Sequence, residues 1–305
     1  MKKVLVTGAN GQLGTKIQEK INQGACSDKD WEWFFLSHNE LDITDSESIH
    51  CAIKKYRPDI IVNCAAYTNV SKAETDEETA FEVNAYGPMK LGVICFEEGI
   101  FLIHISTDFV FSDADKPIPV DYKPAPLNAY GRSKNWGEFY IRQSKCKHII
   151  IRTSWLYSDT AEHKNFVKAI ADKLLQPDCA DVGVVANEVG SPTYAGDLAD
   201  FILLIIELDY EKNEGTYHYC NHGAISRYDF AKAIQEILSD FELLEGKKNV
   251  IPLYGSNSLD KVIRPAYSAL NNQKAMQKFD VSIPYWKDSL TTALTNLMRN
   301  KGIMQ

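Results

Sequence analysis

The sequence lacks any apolar run long enough to cross a bilayer, because no hydrophobic stretch approaches the roughly 18 residues that a membrane helix needs. The N-terminal residues also lack the apolar stretch and the small-residue cleavage site of a signal peptide. These absences argue against a membrane protein and against a secreted one. We therefore expect a cytoplasmic protein with no membrane partner.

Paired cysteines are missing as well. The cysteines are odd in number, are scattered singly and form no Cys-x-x-Cys motif, as their positions show: Cys26, Cys51, Cys64, Cys95, Cys146, Cys179 and Cys220. This usage is typical of free thiols in a reducing compartment and excludes a disulfide framework.

The chain has fewer basic than acidic residues, with 33 Lys and Arg against 41 Asp and Glu, and its formal net charge is -8. Such a chain does not offer the broad basic face with which proteins bind nucleic acid. A few local basic residues can still bind the phosphates of a small molecule. The 305 residues are enough to bury a large core in one big domain or two modest ones.

Short apolar runs rich in β-branched residues alternate with longer segments of helical periodicity in the first half of the chain. They predict strands at 3–7, 32–36, 59–64, 101–106 and 148–153. The spacing leaves room for a helix between successive strands. This pattern predicts an α/β fold with a Rossmann-type, doubly wound parallel sheet.

The second half is less regular and predicts a smaller, intertwined C-terminal α/β lobe for the substrate. We predict helices at 165–176, 195–207, 226–238 and 286–298 and strands at 182–186 and 216–220, with Ser226 as a helix N-cap. The predicted dinucleotide-binding domain comprises residues 1–157 and about 195–222. The predicted substrate domain comprises about 158–194 and 223–305.

Three glycines, Gly8, Gly11 and Gly14, follow the first predicted strand and open a helix. In this context Gly8 permits a tight turn, Gly11 lets the backbone approach a pyrophosphate, and Gly14 lets the helix pack closely on the strand. The helix N-terminus offers N–H groups and a favourable dipole to phosphates. The motif therefore predicts a dinucleotide cofactor. Its Gly-x-x-Gly-x-x-Gly spacing resembles that of the extended short-chain dehydrogenases.

The end of the second predicted strand bears on the choice of dinucleotide. An acidic residue there accepts a hydrogen bond from the ribose 2′-hydroxyl of NAD. Here the strand runs into Ser37 and His38, and no carboxylate occurs before Glu40. The pattern leans weakly toward NADPH and leaves NADH open. Asp42 resembles an adenine-contacting aspartate of the family, although an ordinary loop aspartate fits equally well.

Tyr130 and Lys134 have the spacing that places two side chains on one helical face. A ketone that accepts a hydride becomes an alkoxide and needs a proton. A neighbouring cation would lower the pKa of a tyrosine from about 10, so that it transfers a proton more readily near neutrality. Thr107 stands at the end of the fourth predicted strand, at the sheet edge where α/β proteins bind ligands. Together the three residues predict carbonyl reduction.

These motifs together resemble the dTDP-4-dehydrorhamnose reductases, a family of extended short-chain dehydrogenases. The matching stretches run along most of the chain, at 8–14, 58–68, 106–111, 126–131 with Lys134, 152–157, 165–166 and 190–193, and at Arg264, Pro265, Ser268 and Leu270. The resemblance implies an NAD(P)H-dependent reductase of the 4-keto group of a nucleotide-linked deoxysugar. The implied product is dTDP-L-rhamnose, a precursor of cell-surface polysaccharide.

The resemblance also implies roles for individual residues. The implied catalytic residues are Thr107, Tyr130 and Lys134. The cofactor would lie along Gly11, Gln12, Leu13, Ala65, Ala66 and Tyr67, in addition to the other residues of the glycine motif, Ser37, Asp42, Tyr130 and Lys134. The nucleotide sugar would contact Thr107, Asp108, Trp155 and Arg264. The planar fork of an arginine suits a diphosphate because it binds two oxygens at once.

Four positions depart from the family pattern. Phe109 replaces a tyrosine, Ser71 an acidic residue, Ser158 a glycine and Lys164 an asparagine. Several of these positions lie toward the substrate, so the identity of the sugar stays open.

Two other functions compete with reduction. A dehydratase or epimerase of the same fold is one, but a dehydratase needs an extra acid where Phe109 stands, and a phenyl ring transfers no proton. A regulatory subunit related to that of methionine adenosyltransferase is the other, and it would not need Tyr130 and Lys134. The residues do not distinguish a monomer from a homodimer and leave a dependence on Mg²⁺ open.

A metal site deserves separate consideration because His218, Cys220 and His222 would share one face of a strand. Zinc accepts such ligands, but no fourth ligand accompanies them. We therefore predict that these residues are structural and that the protein has no metal site.

Overall fold

A parallel β-sheet forms the centre of the molecule in a computed structural model that describes residues 1–27, 30–160, 162–177, 181–208, 210–246, 248–254 and 262–304. Cys179 lies outside the described residues. The strands are β1 (Lys2–Thr7), β2 (Trp31–Leu36), β3 (Ile60–Asn63), β4 (Phe101–Thr107), β5 (His148–Thr153), β6 (Leu156–Tyr157), β7 (Val182–Val185), β8 (Val189–Gly190), β9 (Thr193–Tyr194), β10 (Gly215–His218), β11 (Ile225–Ser226) and β12 (Val250–Leu253).

The sheet has the order β10-β5-β4-β3-β1-β2, and all its neighbouring strands run parallel. The chain begins in the middle, adds β2 on one side, and then returns to build β3, β4, β5 and β10 on the other. The switch point therefore lies between β1 and β3. Ligands of open α/β sheets bind at such a point, beyond the carboxyl ends of the strands.

Helices cover both faces of this sheet. They are α1 (Gln12–Asn22), α2 (Ser46–Tyr56), α3 (Val70–Ala73), α4 (Glu77–Phe81), α5 (Gly87–Glu98), α6 (Ala129–Ser144), α7 (Phe166–Leu174), α8 (Ala195–Glu207), α9 (Arg227–Asp240), α10 (Gln273–Phe279) and α11 (Trp286–Asn300). Successive strand residues point to opposite faces, so Val4 and Val6 pack with α1 and α8 whereas Leu5 packs with α2, α5 and α6. The predicted doubly wound α/β fold is confirmed.

The predicted elements match the observed ones to within a few residues at their ends. Uninterrupted β-branched runs such as Ile60–Asn63 are buried on both faces, which is why their strand pattern was clear. Ser226 caps α9, as predicted, because its side chain accepts a hydrogen bond from the Asp229 N–H group.

A second hydrophobic cluster lies outside the sheet. It joins α7, α9 and α11 to the parallel pair β7 and β12. This cluster comes from the chain segments of the predicted substrate lobe, although α10 packs with the sheet through Ala275 and Phe279. The division into a dinucleotide domain and a substrate domain stays a prediction. Among the described residues, none of the helices is both long and apolar enough to cross a membrane.

Candidate active site

The glycine motif forms the turn between β1 and α1. Gly8 adopts a φ of +62°, and a Cβ at this position would lie 2.7 Å from the backbone nitrogen of Ala65. A Cβ at Gly14 would lie 2.6 Å from the carbonyl oxygen of Gly8. Each of these glycines therefore meets a steric need: Gly8 closes the turn against the segment after β3, and Gly14 lets the helix approach the turn.

The N-terminus of α1 fits the pyrophosphate of a dinucleotide. Its first helical hydrogen bond runs from the Thr15 N–H group to the Gly11 carbonyl oxygen at 2.9 Å, so the N–H groups of Gln12, Leu13 and Gly14 precede it. Gly11 is the N-cap and has no side chain that could occupy these donors. The Leu13 side chain is buried in the core, so only its backbone can serve a ligand. Free donors and the helix dipole together favour phosphate oxygens.

The segment that follows β3 lies across the switch point from this turn. The Ala65 N–H group donates to Oδ1 of Asn63 at 3.2 Å, and Ala66 continues the chain to Tyr67. Tyr67 exchanges two backbone hydrogen bonds, each 2.9 Å, with the side chain of Asn84. Nδ2 of Asn84 also donates to the hydroxyl of Ser133 on α6, at 3.1 Å. The predicted cofactor segment is thus tied to the helix that carries Tyr130.

The loop between β2 and α2 holds Ser37 and Asp42. Both the N–H group and the hydroxyl of Ser37 donate to Oε2 of Glu40, at 2.9 and 2.7 Å. Oδ1 of Asp42 accepts from the N–H group and the hydroxyl of Thr44, both at 2.8 Å. The Asp42 carboxylate therefore stabilises its own loop, and an adenine contact at this residue stays a prediction.

Thr107 and Tyr130 meet at the carboxyl end of β4. Their side chains are close enough to interact, because the Thr107 hydroxyl favours ionisation of the Tyr130 phenol, and Thr107 donates to Oδ1 of Asp108 at 3.1 Å. Tyr130 lies in the first turn of α6, whose N-cap Asn128 accepts from the Gly131 N–H group at 2.8 Å. The ring of Phe109 packs edge-on against that of Tyr130, with centroids 5.6 Å apart. Phe109 therefore supports the phenol without offering a proton.

Lys134 lies one helical turn after Tyr130 and is almost fully buried. Its Nζ donates to the Ile105 carbonyl oxygen at 2.6 Å and lies 3.3 Å from Nε2 of His104. Nδ1 of His104 in turn contacts Nδ2 of Asn63 at 3.0 Å. Lys134 is therefore linked through His104 to Asn63, which also positions Ala65.

The protonation of the pair differs from the sequence-based expectation. Burial raises the pKa of Tyr130 to about 12, whereas an ammonium neighbour was expected to lower it. The physical reason is that Nζ of Lys134 turns to His104 and Ile105, while burial lowers the pKa of Lys134 to about 8. Tyr130 is consequently a fully protonated phenol in this structure, which is the form that a proton donor requires.

The predicted substrate residues are connected through a residue that sequence reasoning missed, Arg227. Its guanidinium lies 3.6 Å from the ring centroid of Trp155, whose backbone has a φ of +46°. The other side of the indole faces Gly190, where a Cβ would lie 2.5 Å from the ring. Arg227 also interacts electrostatically with Asp108 and Arg264. The structure thus brings Asp108, Trp155 and Arg264 toward one region.

Asp108 itself is buried and accepts a hydrogen bond from Ser268 at 2.6 Å. Burial raises its pKa to about 6, against the hydrogen bonds from Ser268 and Thr107 that favour the carboxylate. Such a group holds the neighbouring Thr107 hydroxyl in one orientation.

Among the missed residues, His104 had one usable signal, since it is a polar side chain inside a buried strand. Arg227 and Asn84 had none, because their partners are distant in the chain.

Two of the three residues considered for a metal, His218 and Cys220, have other partners. Nδ1 of His218 contacts the Ile118 carbonyl oxygen at 3.1 Å, and burial lowers the pKa of His218 to about 3. The thiol of Cys220 contacts Oδ1 of Asn272 at 3.3 Å. Within the described part of the chain, no group of three His, Cys, Asp or Glu side chains is arranged to hold a metal ion.

Comparison with known proteins gives matches along almost the whole chain. Residues 1–299 match the model of the RmlD substrate binding domain family. A dTDP-4-dehydrorhamnose reductase of Mycolicibacterium smegmatis is 34% identical over 294 residues, covering 96% of this chain and 85% of that protein. A probable dTDP-4,6-dihydroxy-2-methyloxan-3-one 4-ketoreductase of Streptomyces antibioticus is 33% identical over 302 residues, covering 96% and 95%. The crystal structure of dTDP-4-dehydrorhamnose reductase from Bacillus anthracis in complex with NADP is 34% identical with a TM-score of 0.84, covering 97% of this chain and 99% of that one.

Proposed function

The chain belongs to the RmlD substrate binding domain family, and from this premise we propose that it reduces the 4-keto group of dTDP-4-dehydro-L-rhamnose with NAD(P)H. The observation that carries the proposal is the placement of Thr107 and Tyr130, whose side chains interact at the carboxyl edge of the sheet, one helical turn before the buried Lys134. The glycine turn and the segment after β3 flank the switch point of the same edge. A carbonyl reductase needs this combination of a dinucleotide site and a proton donor.

The chain's own residues supply orientation and the proton. When bound, the reduced nicotinamide supplies the hydride to C4 of the sugar. With substrate bound, the Thr107 hydroxyl would donate to the substrate carbonyl oxygen in place of Oδ1 of Asp108 and hold that oxygen near the phenol. Tyr130, protonated before the reaction, gives its proton to the oxygen as negative charge develops there. With the cofactor bound, Lys134 would hydrogen-bond the nicotinamide ribose, and its charged form would stabilise the phenolate that remains.

The binding residues divide between the two sides of the site. The N–H groups of Gln12 and Leu13 would hold the pyrophosphate beside Gly11, whose own N–H group donates to the Gly8 carbonyl oxygen at 2.9 Å. Ala65, Ala66 and Tyr67 would line the cofactor, while Asp108, Trp155 and Arg264 would contact the nucleotide sugar. The domain division predicted above follows the same arrangement, with the dinucleotide on the sheet and the nucleotide sugar between sheet and second cluster.

Tyr130→Phe tests the proposal, because it removes the proton donor and keeps the ring. We expect the turnover of dTDP-4-dehydrorhamnose, followed as NAD(P)H oxidation, to fall by at least ~100-fold. Cofactor affinity, measured by calorimetry without substrate, should stay within about twofold because the ring is retained. Near-normal turnover in this variant would refute the role of Tyr130. Turnover of related 4-keto sugars by the wild type would define the sugar.

We further propose that the enzyme acts in the cytoplasm as a monomer or homodimer. Within the described residues no disulfide is formed by Cys26, Cys51, Cys64, Cys95, Cys146 or Cys220, which is the state expected in a reducing compartment.

A further inference from the structure

The backbone next to the glycine turn defines where the adenine ribose must lie. The Ala9 N–H group donates to the Leu36 carbonyl oxygen at 3.1 Å, so the turn is joined directly to the end of β2. Ser37 is the first residue after that strand. In dinucleotide-binding folds the side chain near this position recognises the 2′-hydroxyl of NAD, or an arginine nearby accommodates the 2′-phosphate of NADP.

The carboxylate of Glu40, three residues further along the chain, lies against Ser37. Oε2 of Glu40 accepts both available donors of Ser37, the N–H group at 2.9 Å and the hydroxyl at 2.7 Å. These hydrogen bonds hold the pKa of Glu40 below its ordinary value, so the group is ionised at neutral pH. Because both donors are engaged by Glu40, a phosphate would have to displace a carboxylate to reach them.

The charge of the surrounding loop also disfavours a phosphate at Ser37. Residues 37–45 contain three carboxylates and neither Lys nor Arg. Nδ1 of His38, the basic side chain of this loop, lies 3.9 Å from Oδ1 of Asp42. Of the nearby lysines, Lys90 donates to the Thr44 carbonyl oxygen at 2.5 Å, whereas Lys55 lies over the Tyr56 ring and also acts on Glu40, where its charge favours the carboxylate.

We propose that Glu40, held at the end of β2 by Ser37, makes this enzyme prefer NADH to NADPH. The inference rests on the proposed function and deepens it by naming the cofactor. A carboxylate at this point accepts a hydrogen bond from a ribose 2′-hydroxyl and repels a 2′-phosphate. The weak inclination toward NADPH that the sequence suggested came from counting Glu40 as too distant. The chain turns between Ser37 and Glu40, so Oε2 of Glu40 lies 2.7 Å from the Ser37 hydroxyl.

Calorimetric titration of the full chain with NADH and with NADPH, without sugar substrate, tests this proposal. We expect the wild type to bind NADH at least ~5-fold more tightly than NADPH, and Glu40→Gln to reduce that ratio by about 10-fold. Glu40 is exposed, so the variant should fold. Glu47→Gln removes the same charge from the exposed first turn of α2 and should leave the ratio unchanged. Raising the salt concentration should narrow the wild-type ratio, since exposed charges are screened.

Equal binding of the two cofactors by the wild type, or tighter binding of NADPH, would overturn the proposal. A ratio that Glu40→Gln leaves within twofold of the wild-type value would do the same. Failure of both cofactors to bind would instead refute the proposed function, so the two failures are distinguishable. The ratio of kcat/KM for the two cofactors, measured with the sugar substrate, should follow the ratio of affinities.

Discussion

Nζ of Lys134 lies 3.3 Å from Nε2 of His104 in the interior of the protein. Burial keeps the pKa of His104 far below its usual value, so the ring is neutral and supplies no counter-charge to the lysine. Oδ1 of Asn63 accepts from the Ala65 N–H group, which directs Nδ2 of Asn63 at Nδ1 of His104. The proton of the neutral ring is then on Nε2 and faces Lys134.

This arrangement makes cofactor binding depend on pH near 8. Besides His104, the groups that act on Lys134 are Glu138 on the same helix and Cys64 after β3. Burial lowers the pKa of Lys134 to about 8, because its effect outweighs those of Glu138 and Cys64, which raise this pKa. In the free protein the ammonium therefore loses its proton as pH rises through about 8. We expect cofactor affinity to decline there, because only the charged form attracts the dinucleotide phosphates.

Calorimetric titrations from pH 6.5 to 9.5 would measure this decline. Lys134→Met removes the titrating group and keeps much of the side-chain volume. Its affinity for the cofactor should be weaker than that of the wild type at pH 7 and flat across the range. A parallel decline in the variant would assign the pH dependence to another group.

A second prediction concerns the buried ion pair under the catalytic helix. Glu138 accepts two hydrogen bonds from Arg152, at 2.8 and 2.7 Å, and one from Ser106 at 2.6 Å. Although burial raises the pKa of Glu138, Arg152 lowers it to about 2. We expect Glu138→Gln to reduce the free energy of unfolding at pH 7 by ~3 kcal/mol, because Arg152 is left as a buried, unpaired charge.

The pH dependence of this loss follows from the lowered pKa. The stabilisation is fully present above the unfolded pKa of about 4.3 and disappears as pH falls through about 2. Urea unfolding at pH 7 and pH 3 should therefore show a smaller difference between the two proteins at the lower pH. Glu211→Gln breaks the exposed pair with Lys147 and should cost under ~1 kcal/mol. Equal losses in the two variants would contradict the prediction.

The elements that the sequence predicted well are those whose signal is local. The β-branched runs of β3 and β5 are buried on both faces, so hydrophobicity alone located them. The glycine spacing identified the turn after β1 because each glycine has a steric reason that depends on its immediate surroundings. The resemblance to a known family then identified Thr107, Tyr130 and Lys134, and the structure brings the side chains of the first two into interaction.

What the sequence could not predict depends on contacts between distant segments or on the fold of a single loop. Glu40 reaches Ser37 only because the loop turns back after β2. The lowering of the Tyr130 pKa by Lys134 was a wrong expectation because it assumed that two residues on one helical face must face each other. The interior position of His104, on a neighbouring strand, gives Lys134 another partner.

The third prediction concerns Arg227, which stacks on the indole of Trp155 and lies 5.1 Å from the ring centroid of Phe166. Its guanidinium lies 3.8 Å from Glu188 and interacts with Arg264, and we expect the two cations beside the indole to bind the diphosphate of the substrate. We expect Arg227→Ala to raise KM for the nucleotide sugar by at least ~10-fold, with a smaller change in kcat and an unchanged cofactor affinity.

The Arg227→Lys variant tests whether the positive charge of Arg227 is enough or whether its planar guanidinium is also needed. A lysine keeps the positive charge but lacks the planar group that stacks on Trp155 and binds two oxygens, so its KM should fall between those of the wild type and Arg227→Ala. Lys287→Ala, which removes an exposed cation paired with Glu236, should leave KM unchanged. A binding contact that is shared by the ground state and the transition state raises KM alone when it is lost. If Arg227→Ala instead lowers kcat and leaves KM unchanged, the arginine does not hold the diphosphate. It would then act on the reacting atoms through Asp108.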